Sequence, residues 1–158
     1  MSLQSPLGSD HQLARLLQIG VVLEEVVEAR AAKHADADDL DDQVRAFLRE
    51  AAAESATHRE RLDRLVDELE ADSIPFEEIK QLVEEQYETD QNFDGILYDQ
   101  LCNEETAYKF YDDLIGAIEG SDARFSIDRD RLLDVLREVR ADEEAGVEEV
   151  TRLMEGNE

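Results

Sequence analysis

The sequence has no tryptophan, one cysteine, two prolines and only nine aromatic residues among 158, four Tyr and five Phe. With a single thiol, Cys102, an internal disulfide and a four-cysteine metal knuckle are excluded. Cys102 follows apolar Leu101 and stands two residues before Glu104, whose charge would raise rather than lower its pKa, so it reads as a small core residue and not a nucleophile. Basic residues are scarce: 16 Lys and Arg face 42 Asp and Glu, a formal net charge of −26. Phosphate backbones and anionic lipid surfaces need basic patches, so nucleic acid and membrane are excluded as partners. The longest mainly apolar stretch near the N-terminus, 16–23, falls short of the roughly 20 residues that cross a bilayer and has no basic segment before it. A cytoplasmic location is expected. No glycine-rich phosphate loop occurs.

What remains is acidic and helical. The bases comprise 13 Arg and three Lys (Lys33, Lys80 and Lys109), and the acids are spread along the whole chain. This is similar to the proteins of salt-loving archaea, in which molar salt shortens the Debye length to about 3 Å and an acidic shell stays folded. Most carboxylates are then solvation, and a functional one has to be recognised by position.

The alternation expected of strands is missing, and a period near 3.6 governs the apolar residues, which predicts an all-α chain. Residues 1–9 read as a flexible N-terminus and 10–158 as one helical-bundle domain. A first helix, capped by Ser9 or Asp10, runs to about His34, and a second, after the acidic turn 36–42, to about Ala71. Pro75 opens a short segment from Phe76 to Tyr87, a longer helix follows from Ile96 to Glu119, and a last one, capped by Ser126 or Asp128, ends near Glu155. Four long helices, with one long link between the second and the next, are the arrangement of a four-helix bundle whose crossover connection contains a short extra helix.

Stepping alternately by four and three residues picks out the inward seam of each long helix. The first gives Leu13, Leu17, Gly20, Glu24, Val27, Ala31 and His34, and the second Leu48, Ala51, Ser55, His58, Leu62, Leu65 and Leu69. Leu97, Leu101, Glu104, Tyr108, Tyr111, Ile115 and Ile118 follow on the third, and Leu132, Leu136, Val139, Glu143, Gly146, Val150 and Leu153 on the last. Each seam is largely apolar except near its middle, where an acidic or imidazole group interrupts it. An unpaired carboxylate costs several kcal/mol inside a bundle, and a metal ion held between four helices accounts for all the interruptions at once. Alternatively the acids lie on the solvated side of broad apolar faces.

The segment from Ile96 to Tyr111, with Glu104, Ala107, Phe110 and Tyr111, resembles the third bundle helix of the rubrerythrins and related ferritin-like proteins, and Glu54 to Leu62, with His58, resembles their second. The resemblance implies a ferritin-like bundle with a carboxylate-rich iron site, manganese or zinc being alternatives. Carried over by position, the metal ligands are Glu24, His58, Glu104 and Glu143, with Tyr111 close behind them. Ser55 and Gly146 stand where the family has Glu and His. Glu54, four residues before His58 on the same helix face, is the substitute ligand, with Glu25 and Glu144 in reserve. The implied chemistry is ferrous oxidation or reaction with peroxide or oxygen. A rubredoxin-like electron donor is missing, because it needs four cysteines. The alternative is a non-catalytic helical scaffold or interaction protein that has lost the two-metal site. The resemblance also implies a homodimer. One further pattern, Asp90, Asn92, Asp94 and Gly95, opens like a calcium loop, but Leu101 replaces the Glu expected at its twelfth position, so it reads as a turn.

Overall fold

The computed structural model describes residues 7–70, 81 and 95–156, and among these it contains four long helices and no strand. They are α1 (Asp10–Ala35), α2 (Asp42–Asp67), α3 (Ile96–Glu119) and α4 (Arg129–Gly156). None is long and apolar enough to cross a membrane. The segment predicted from Phe76 to Tyr87 lies outside the described residues apart from Gln81, as do residues 90–94 of the calcium-like pattern.

Local chemistry sets the helix ends. Ser9 accepts a hydrogen bond from the Gln12 N–H at 3.2 Å, and Asp41 accepts from the N–H groups of Gln43 and Val44, so the first turn of α1 and of α2 each has a side-chain cap. At the other end of α1, Arg45 donates to the carbonyls of Ala35 and Ala37, and Lys33 places positive charge beside the negative end of the dipole. Arg129 does the same for α3 by donating to the carbonyls of Ile118 and Ser121 at 2.5 and 2.9 Å. Gly95 caps α3 with φ of +109°, a conformation that suits glycine. The second helix stops at Asp67, four residues before the expected Ala71.

Helix α1 packs along α2 and α3 along α4, and the two pairs meet through α1 with α3 and α2 with α4. Residue pairings fix the directions. Glu24 meets Tyr111 while Arg30 meets Asp99, so α1 and α3 are antiparallel. His58 meets Asp142 and Glu68 meets Arg131, so α2 and α4 are antiparallel as well. The carboxylate of Asp10 accepts from the N–H groups of Glu70 and Ser126, so α1 starts beside the end of α2 and the approach to α4. Ile96 and Leu97 pack at the opposite end, against Ala35, Val44 and Leu48. The end of α2 and the start of α3 therefore lie at opposite ends of the four-helix array.

The core extends through Leu13, Leu17, Leu62, Leu65, Leu114, Ile115, Ile118, Leu132 and Leu136, all essentially without solvent contact. Burying each such side chain contributes roughly 1.5–3 kcal/mol, which is what draws the four apolar stripes together. On α3 the expected seam is displaced in the first half of the helix. Gln100, Asn103 and Ala107 are buried, whereas Leu97, Leu101 and Tyr108 are half-buried. Cys102, expected in the core, is exposed.

Candidate metal centre

Midway along the array, where leucines stop, the helices turn polar residues inward: Glu24 from α1, Ser55 and His58 from α2, Gln100 and Glu104 from α3, and Glu143 from α4. Relative exposures of 0% for Glu24, 1% for His58 and 3% for Glu143 place these three charge-bearing groups out of bulk water. Desolvation on that scale is tolerated only if the groups satisfy one another or hold an ion.

They do meet. His58 Nδ1 lies 3.3 Å from Glu24 Oε1 and 3.2 Å from Glu143 Oε1. Tyr111, completely buried, donates its hydroxyl to Glu24 Oε1 at 2.5 Å and packs its ring edge-on against Phe110. Glu104 approaches from α3 with Oε1 accepting from Gln100 Nε2 at 2.9 Å, and it shares a hydrogen bond with Glu143. On the outward side of the imidazole, Nε2 lies 2.9 Å from Asp142 Oδ2 and 4.0 Å from Glu54 Oε1, both on half-exposed side chains.

The electrostatics follow from this crowding. Burial alone would depress the His58 pKa, but hydrogen bonds to Glu143 and Glu24, the charge of Glu24 and the bond to Asp142 push it up to about 11, so the ring is an imidazolium. Burial raises Glu143 strongly, and its bond to Glu104 with the nearby charges of Glu24 and Glu104 outweighs the opposing bond to His58. Tyr111 is raised well above its ordinary value, first by burial and then by Glu24. Glu54 is pushed up to about 7 by loss of solvent, an effect that His58 counters and the acids around it reinforce.

The donor set fits a hard cation. Glu24, His58 and Glu143 each offer one ligand atom, all within 4.8 Å of one another, and Glu54, His58 and Asp142 form a second such group. Ligands at about 2.1 Å from a common ion stand about 3.0–3.4 Å apart, the separations already found around His58 Nδ1. Glu24 Oε2 and Gln100 Oε1 are buried acceptors with no hydrogen-bond partner among the described residues. An orphan of this kind costs about 1–3 kcal/mol, and more when charged.

Of the expected ligands, Glu24, His58 and Glu143 converge, Glu104 joins through Glu143, and Glu54 sits on the outer face of the imidazole. Tyr111 lies directly behind Glu24. The reserve Glu144 is exposed and Glu25 half-buried, and neither belongs to either group. Gly146 has a role of its own: a β-carbon there would lie 2.6 Å from Glu104 Oε2, so the missing side chain is what admits the Glu104 carboxylate. Sequence reasoning passed over Asp142, the neighbour of Glu143, and a second polar cluster. In that cluster Asp99 accepts from Arg30 at 2.6 Å and pairs with His34 at 2.7 Å. The signal for Asp99 was its place on α3, one turn before Asn103 and five residues before Glu104.

Compared with known proteins, the chain matches no family model, no curated protein and no solved structure.

Proposed function

We propose that this protein binds a divalent metal ion, one per chain, between Glu24, His58 and Glu143, with Glu104 as a further carboxylate. The observation that carries the reading is Glu24 Oε2, a fully buried carboxylate oxygen beside two other ligand-bearing side chains and without a hydrogen-bond partner among the described residues. A divalent cation would satisfy it. Three carboxylates and one imidazole favour iron or manganese, with zinc as the alternative. Iron would supply one-electron chemistry toward oxygen or peroxide, the activity implied by the ferritin-like resemblance. The protein's own part is to hold the ion away from bulk water, to keep Glu24 oriented through the Tyr111 hydroxyl and to steer Glu104 through Gln100.

The second reading is a non-catalytic helical scaffold. One observation favours it: the His58 imidazolium already hydrogen-bonds Glu24, Glu143 and Asp142 and neutralises part of the cluster. Calorimetric titration of chelator-treated protein with Mn²⁺ separates the two. The metal reading predicts one equivalent bound with release of protons from His58 and Glu143, and loss of that binding in Glu24→Gln. The scaffold reading predicts no heat of binding and no change in thermal stability.

A further inference from the structure

His58 has two faces, and each belongs to a different group of ligands. Nδ1 faces inward to Glu24 and Glu143, whereas Nε2 faces outward to Asp142 at 2.9 Å and Glu54 at 4.0 Å. The inner group is sealed: its three residues are at most 3% exposed. The outer carboxylates are 45% and 49% exposed, so they meet solvent while still addressing the same ring. They come from α2 and α4, helices that belong to different tightly packed pairs and touch less extensively than the members of either pair. The imidazole therefore stands as the partition between water and the buried carboxylates at the looser seam.

We infer that Glu54, Asp142 and the outer nitrogen of His58 form a loading position, where a divalent cation is first captured before it passes to the buried carboxylates Glu24 and Glu143. This rests on the metal reading above and adds the route. Capture at Nε2 displaces that nitrogen's proton to solvent, and because the neutral ring then has a lone pair on one nitrogen only, an N–H remains at Nδ1 to donate to Glu24 or Glu143. With the cation inside, Nδ1 is the ligand and Nε2–H donates to Asp142. Both arrangements use hydrogen bonds whose partners are already in place. The two positions share one ring and so are not filled together, which keeps the stoichiometry at one ion per chain. Glu24 Oε2, the unpartnered buried acceptor, makes the inner position the resting one.

A gateway slows entry and exit together, and this separates it from a permanent ligand, whose loss speeds exit. The test is rapid mixing of the full chain with Co²⁺, whose visible absorption reports coordination, for the wild type and for Glu54→Gln/Asp142→Asn. The account predicts uptake at least tenfold slower in the double variant, release into excess chelator slower as well, and an equilibrium dissociation constant that rises by less than the uptake rate falls, because the amide oxygen brought in by Asp142→Asn still accepts from the Nε2–H of the inner-bound state. A charge control, Glu60→Gln/Glu148→Gln, removes two exposed acids from the same two helices and is expected to leave uptake within twofold. Unchanged uptake in Glu54→Gln/Asp142→Asn would overturn the loading position while sparing the inner site. Affinity falling in step with the uptake rate, with release no slower, would make the two acids permanent ligands and also overturn it. Two tightly held Co²⁺ per chain would contradict the shared ring, and no Co²⁺ bound by the wild type would remove the inner site and the route together.

Discussion

The carboxylate of Glu104 occupies the space that any side chain at Gly146 would need, with an added β-carbon 2.6 Å from Oε2 and 2.7 Å from Cδ. Glycine thus acts here by absence, and Glu104 reaches Glu143 because α4 has a notch opposite it. Gly146→Ala is expected to leave overall stability within about 1 kcal/mol. The gain in helix propensity, about 1 kcal/mol, offsets the displacement of a flexible carboxylate. Metal affinity is expected to fall at least tenfold, because the shifted Glu104 loses its bonds to Gln100 and Glu143. Urea unfolding and Mn²⁺ titration of the same sample check both halves, and an unchanged affinity would deny Glu104 its place in the centre.

Tyr111 spends its hydroxyl on Glu24 inside a dry core. Tyr111→Phe removes a charge-assisted donor without changing packing, so a loss of about 1.5–3 kcal/mol is expected from chemical denaturation of metal-free protein. A loss below about 0.5 kcal/mol would mean that Glu24 is satisfied some other way.

The pH dependence has a definite sign. His58 is raised from an ordinary 6.5 to about 11 in the folded protein, so its stabilising contribution is complete below pH 6.5 and disappears as pH rises toward 11. Glu143 is also raised, and its contribution likewise declines above its ordinary 4.5. Metal-free protein is therefore expected to lose stability from pH 7 to pH 9, at roughly 1.4 kcal/mol per pH unit for each such proton. Molar KCl screens the general repulsion of a chain with net charge −26, leaving this local effect. Thermal melts across the range check it. In His58→Gln the part of the slope that belongs to the imidazole is expected to vanish, and an equally steep slope there would contradict the assignment.

Asp99 ties α3 to α1 through Arg30 and His34, and one turn on it accepts from Asn103 at 3.5 Å. Burial alone would raise the Asp99 pKa, but bonds to His34 and Arg30 hold it below the usual carboxylate range. Its stabilising contribution is present above pH 3.8 and is lost as pH falls through the lowered value. Asp99→Asn is expected to cost about 2–3 kcal/mol at pH 7. That cost should shrink on acidification, which unfolding at pH 7 and pH 3 compares.

The seam rule served where apolar residues carry the pattern. On α1 it placed Glu24 between buried Gly20 and Val27, and on α4 it placed Glu143 between Val139 and Val150, as the helices have them. It slipped on the first half of α3, because Asp99 is drawn inward by Arg30 and His34 of α1, and Gln100 and Asn103 by carboxylates one turn away on α3, and stepping along hydrophobic residues does not register such pairs. Leu97 and Leu101 were given inward places for the same reason and lie half-buried, and Cys102, read as a core residue from its apolar neighbour Leu101, is exposed. Gly146 looked like a lost ligand because its function is space, which a residue name does not disclose. Asp142 was hidden among 42 acids, and only the turn of α4 over the His58 ring singles it out.

The central claim concerns one ion at one place, and anomalous diffraction from crystals soaked in Mn²⁺ after chelator treatment tests it most directly. The account predicts a single strong internal peak in contact with Glu24, His58 and Glu143, absent from crystals of Glu24→Gln. Peaks confined to surface carboxylates, or no internal peak at all, would contradict it.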